Sequence, residues 1–224
     1  MSEQQFSQGA QGATAEQVKA MVEQKVRAAV EEGSRRVRPE LAEAQGVWNL
    51  YAYGPIQVPA AGGPLLPSRI IKVGETFQIV TVVWFNNLPA GGFANPCAMI
   101  TNLGCHIILD YCTGDLCKWA QAPAAYRPAS VTIPLVPNQC WYVDVQTFTA
   151  AAGTEGLYEM NIMGHVTGCA PGAKPPLAGF VTAVRNLDAD TFYPPAAPPG
   201  VPQPPAGQGA GWQYDTPIRF QIYS

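Results

Sequence analysis

Charge is scarce in this chain. Only 13% of its 224 residues are Asp, Glu, Lys or Arg, about half the share of an ordinary soluble domain. The shortage is uneven: residues 1–43 hold 6 of the 13 basic and 7 of the 16 acidic residues, which leaves 16 charges among the other 181. A net charge of -3 and a pI of about 5.4 provide no basic footprint for phosphate backbones or anionic lipid, so nucleic acid is not an expected partner. A body this poor in charge is expected to have part of its surface covered, and a second copy of the chain is one candidate cover.

Long apolar runs are also missing. The longest strongly apolar stretch, residues 79–85, is far too short for a bilayer span. The segment from Met1 to Gln8 lacks the basic and apolar regions of a secretory leader. That leaves open a cytoplasmic chain, a mature exported chain, or export by another route.

Catalytic sets are absent from the pattern. There are two histidines, His106 and His165, each inside an expected strand, and a lone strand histidine is more often hydrogen-bonded than a metal ligand. Cys105 and His106 are neighbours on a strand and so point to opposite faces, which rules out a dyad. Beyond residue 43 the only serines are Ser68, Ser130 and Ser224, with no Gly-x-Ser-x-Gly elbow. Asp188 and Asp190 share one side of an extended segment, but two oxygens read better as a turn with Asx hydrogen bonds than as a cation site. Asp110 and Asp115 flank Cys112, and carboxylates for glycoside hydrolysis must stand about 5–10 Å apart across a cleft, which sequence spacing does not establish. No enzyme, cofactor or metal site is expected.

What is present is turn chemistry and alternation. With 47% hydrophobic residues, 22 Gly and 22 Pro, the composition suits short strands and many turns. One helix is expected over 15–32: Thr14 and Gln17 fit a capping box, and Val18, Met21, Val22, Val26, Ala29 and Val30 recur at helical spacing up to Gly33, an expected stop. Its other face alternates Glu16, Lys19, Glu23, Arg27 and Glu31, pairs worth about 0.2–0.5 kcal/mol each.

From residue 47 the period becomes two, and strands are expected over 47–53, 76–85, 105–111, 130–135, 141–148, 156–167, 179–184 and 218–223. In 156–167 Tyr158, Met160, Ile162 and Val166 share a face opposite Glu159, Asn161 and His165, the mark of a half-buried strand. In 77–85 both faces are apolar or β-branched, the mark of a strand covered on each side. These patterns predict a mainly β protein, an antiparallel β-sandwich of the immunoglobulin-like or jelly-roll kind with an N-terminal helical extension. The division is a charged arm over 1–43 and a β domain over 44–224, the latter including a Pro/Gly-rich loop over 194–211 and a C-terminal strand over 216–223.

The six cysteines lie at 97, 105, 112, 117, 140 and 169 without a Cys-x-x-Cys pair, which argues against a zinc knuckle. Cys112 and Cys117 flank a four-residue polar turn, so a hairpin makes them the expected disulfide. The even count tips the expected location toward an extracellular or cell-surface setting.

The function expected from this pattern is a non-enzymatic structural subunit that assembles with its own kind into a filament, shell or surface layer. Its expected contacts are Val18, Val22, Val26 and Val30 on the helix and Ile218, Phe220 and Ile222 on the last strand. The alternative is a carbohydrate-binding module or adhesin. There Trp119 and Trp212, both in turn-rich stretches, serve as ligand or interface aromatics, while Trp84 and Trp141 are expected in the core.

Overall fold

A computed structural model of the chain describes residues 14–36, 48–57, 68–87, 94–170, 178–180, 182–183 and 217–224. The first element, α1 (Ala15–Arg36), opens on the expected capping box: Thr14 N donates to Gln17 Oε1 at 2.8 Å and Gln17 N to Thr14 Oγ1 at 3.3 Å. Gly33 does not stop it. A glycine inside a helix costs about 1 kcal/mol relative to alanine, and it terminates a helix only where the chain turns left-handed. Here the backbone stays helical to Arg36.

The strands are β1 (Trp48–Ile56), β2 (Ile70–Lys72), β3 (Thr76–Phe85), β4 (His106–Asp115), β5 (Ala120–Gln121), β6 (Val131–Pro134), β7 (Trp141–Thr149), β8 (Gly156–Thr167), β9 (Ala178–Phe180), β10 (Thr182–Ala183) and β11 (Ile218–Tyr223). A short helix α2 (Pro96–Thr101) follows β3, and a 3-10 turn (Ala124–Tyr126) follows β5. Among the described residues the order β10-β1-β3-β7 makes a four-stranded sheet. The path β2-β11-β8-β4-β5, with β6 on β4 and β9 on β8, makes a seven-stranded one. Pairing is antiparallel except for β1 with β10 and β2 with β11. The fold is therefore a β-sandwich. The single strand expected over 179–184 is instead two, one on each sheet.

Alternation along β3 explains how the layers stack. Phe77, Ile79, Val83 and Phe85 face the seven-stranded sheet and join Ile107, Leu109, Met160, Ile162, Ile218 and Ile222 in the main core. At its centre, ring centroids of Phe77 and Phe220 stand 5.1 Å apart, those of Tyr158 and Phe220 5.4 Å, and those of Tyr126 and Tyr158 5.0 Å. These are separations at which aromatic pairs add to simple burial. The other face of β3 carries Val80, Val82 and Trp84, which meet Tyr51, Tyr53 and Ile56 of β1, Val143 of β7, and Val18 and Val22 of α1 in a second core. The charged arm thus docks on the outer face of the four-stranded sheet. Val18 and Val22 are fully buried there, each worth about 1.5–3 kcal/mol.

Two disulfides fasten the ends of strands, Cys97–Cys140 and Cys105–Cys169, across sequence separations of 43 and 64. The first joins α2 to the residue before β7, and Asn95 caps α2 by accepting from Ala98 N at 2.9 Å. The second joins the start of β4 to the turn after β8. In that turn Gly168 takes a left-handed φ of +67, a conformation that favours glycine, and an added Cβ would meet the His106 imidazole.

Candidate functional site

The disulfide expected between Cys112 and Cys117 does not form; both are exposed free thiols. The reason is strand length. β4 runs on to Asp115, and its hairpin partners are Gly114 with Gln121 and Asp115 with Ala120, so the turn sits at 116–119 rather than around 113–116. Cys112 then lies within the strand opposite Asn161 while Cys117 lies in the turn.

Five of the seven side chains expected to make assembly contacts are placed inside the chain's own fold. Val18 and Val22 are buried under α1, and Ile218, Phe220 and Ile222 are buried in the main core, with β11 held between β2 and β8. The side chains of Val26 and Val30, the 194–211 loop, Trp212, Asp188 and Asp190 lie outside the described residues.

The outer face of the seven-stranded sheet is different: among the described residues no helix lies over it. His165 Nδ1 stands 3.7 Å from Asp110 Oδ2, and Ser130 Oγ donates to Asp110 Oδ1. The carboxylate sits between hydroxyl and imidazole, whereas a base that activates a serine must itself touch the hydroxyl. This trio is a surface hydrogen-bond cluster. Among the described residues no group of three or more His, Cys, Asp or Glu could hold a metal ion.

One end of the same face exposes two apolar side chains on either side of a glutamine, next to the Arg219–Glu159 ion pair. Gln221 is in register with Ile70 on one side and Leu157 on the other, so the three form a cross-strand row, in which Ile70 is 63% and Leu157 39% exposed. Leu116 N donates to Leu157 O at 2.8 Å, which ties the 116–119 turn to the end of this row. That turn presents Trp119, 91% exposed at a left-handed φ of 51, a conformation that costs a non-glycine residue about 1–3 kcal/mol.

Asp115 holds the turn in place. Its nearly buried carboxylate accepts from Cys117 N at 2.9 Å and Lys118 N at 3.1 Å, with Lys118 Nζ at 3.2 Å. Burial works to raise the Asp115 pKa, but the hydrogen bonds from Lys118 and Cys117 outweigh it and hold it below the usual carboxylate value.

A cleft of about 520 Å³ opens on the other side of the molecule, between α1 and the loop leading into β7. Glu23 and Arg27 line it from the helix, Asn87 from the end of β3, and Asn138, Gln139 and Trp141 from the loop and strand. Trp141, expected in the core, is half-buried, and the Arg27 guanidinium carbon lies 5.9 Å from its ring centroid. The loop is firmly held: Asn138 N donates to Thr101 Oγ1 at 2.9 Å, Val136 N to Tyr142 Oη at 2.8 Å, and Gln139 Nε2 to Trp141 O at 3.0 Å. Sequence reasoning missed this site because its residues come from three distant segments. The only hint was that Glu23 and Arg27 share a helix face one turn apart.

No protein-family model and no curated protein sequence matches the chain. Among solved structures it is similar to a β-glucosidase from Listeria innocua in complex with glucose (TM-score 0.28, 10% identity, 60% of this chain and 16% of that one). It is also similar to a CARDB domain from Pyrococcus furiosus in complex with di-metal ions (TM-score 0.27, 14% identity, 62% and 91%), and to the apo form of the Calx CBD1 domain (TM-score 0.21, 12% identity, 51% and 92%). The match spans about a sixth of the glucosidase. At these scores the likenesses bear on neither ancestry nor activity.

Proposed function

We propose that the chain is a non-enzymatic structural subunit that associates with copies of itself, outside the cytosol, through the uncovered face of its seven-stranded sheet. The observation that carries this reading is the exposed row of Ile70 and Leu157 tied to the turn that displays Trp119. Tryptophan is enriched at the energetic centres of interfaces, and Asp115 fixes the turn beforehand, so little ordering entropy is lost on contact. Scarce charge in the body supports the same reading, because interface cores are depleted of charged residues.

This reading puts the contacts on a sheet face rather than on Val18 and Val22 of the helix or Ile218, Phe220 and Ile222 of the last strand, which are already buried. Two cystines support an oxidising location at or beyond the cell surface. Variants test the surface directly. Trp119→Ala and Leu157→Arg alter exposed positions, so each keeps the fold while shifting the chain to smaller species in light scattering. Unchanged oligomers in the double variant would remove this face from the reading.

A further inference from the structure

We infer that the cleft between α1 and the loop preceding β7 is a binding site for a neutral sugar unit. The cleft lies on the four-stranded-sheet side, away from the proposed association face, and the inference holds whether or not the chain associates.

Size comes first: about 520 Å³ falls within the range of about 300–1,000 Å³ typical of small-molecule sites. Charge narrows the ligand. Among the described residues Glu23 and Arg27 are the charged groups lining the cleft and they offset one another, so these walls have no net sign with which to select an ion. The remaining polar groups are side-chain amides of Asn87, Asn138 and Gln139, which offer donors and acceptors together. That mixture suits hydroxyl groups, which also donate and accept.

One of these amides is unusual. The Oδ1 of Asn87 is shielded from solvent and finds no donor among the described residues, whereas buried acceptors are nearly always paired. Asn87 as a whole is only half-buried, so a turn of its amide brings that oxygen to the cleft, where a ligand hydroxyl supplies the missing donor. Trp141 supplies the remaining element, a half-buried aromatic ring in the cleft wall, of the kind on which the C–H face of a sugar ring rests. Arg27 lies over that ring at 5.9 Å, the outer limit of a cation–π contact. Its exposed side chain can therefore swing aside and donate to ring oxygens.

The walls are built to hold this geometry. The Cys97–Cys140 disulfide and the Asn138–Thr101 hydrogen bond fix the loop before any ligand arrives. A nucleotide also stacks on tryptophan, but a chain of net charge -3 with Arg27 as the one cation lining the cleft among the described residues offers its phosphates little counter-charge.

The test is isothermal titration of the full chain with linear oligosaccharides of glucose, galactose, mannose and N-acetylglucosamine, with adenosine and uridine as controls. The expected result is saturable one-to-one binding of at least one saccharide that is insensitive to salt and about tenfold weaker in Asn87→Ala, the loss of roughly one hydrogen bond. Arg27→Ala changes an exposed helix position, so it keeps the fold and weakens binding even if Asn87→Ala proves unstable. Failure of every saccharide to bind, binding unaffected by both substitutions, or binding of the nucleosides alone would each overturn the inference.

Discussion

Tyr111 on β4 donates its phenolic hydrogen to Asp144 on β7 at 2.6 Å, with Thr81 Oγ1 on β3 a further 3.0 Å contact, so a polar bridge joins the two sheets inside the sandwich. Gln146 Nε2 donates to the same carboxylate oxygen at 2.7 Å. Removing the hydroxyl in Tyr111→Phe leaves a half-buried carboxylate short of a donor. The expected loss is about 1–3 kcal/mol in urea unfolding, against near-neutrality if Asp144 is fully hydrated.

Alkaline conditions act on the same interior. Burial, then the neighbouring Asp144 charge, raises the Tyr111 pKa above its ordinary value of 10.0, and burial pushes Tyr158 up to about 12. A raised folded-state pKa contributes stability that is intact below the unfolded value and lost as pH rises through the folded one. Thermal midpoints are therefore expected to hold below pH 10 and fall between about 10 and 12. A flat profile to pH 12 would place these phenols in water.

Thiol counting separates the two disulfide patterns. In protein unfolded without reductant, two thiols should titrate, and mapping should place them at Cys112 and Cys117. Pairing Cys97→Ser with Cys140→Ser should cost about 2–4 kcal/mol, as expected for cross-links closing loops of this length. A Cys112–Cys117 bridge in the native protein would contradict the described pairing.

The helix belongs to the fold on this structure. Val22→Ala removes two buried carbons from the second core, with an expected loss of about 1.5–3 kcal/mol. A chain lacking residues 1–43 should expose Val80, Val82 and Trp84 and lose thermal stability. Unaltered unfolding of both variants would return the helix to the status of a free arm.

Much of this fold was legible because it rests on local rules. The two apolar faces of β3 required a cover on each side, and α1 turned out to be one of those covers. Alternation placed Tyr158, Met160 and Ile162 inward, and the Thr14–Gln17 box marked where α1 begins. The misses depend on contacts distant in sequence. Cys97 finds Cys140 only because α2 packs beside the start of β7, and the Cys112–Cys117 expectation failed because pairing with β8 extends β4 to Asp115. The cleft stayed hidden for the same reason: Glu23 and Arg27 meet Asn87, Gln139 and Trp141 only once α1 has docked. Trp119 was readable as exposed, but not the carboxylate that fixes its turn.

The central claim, self-association through the open sheet face, is tested most directly by light scattering on the purified full chain over a wide concentration range without reductant. The expected result is a mass that exceeds the 23.9 kDa monomer and grows with concentration in the wild type, and that returns to the monomer in Trp119→Ala/Leu157→Arg. A wild-type mass fixed at the monomer value throughout would contradict it.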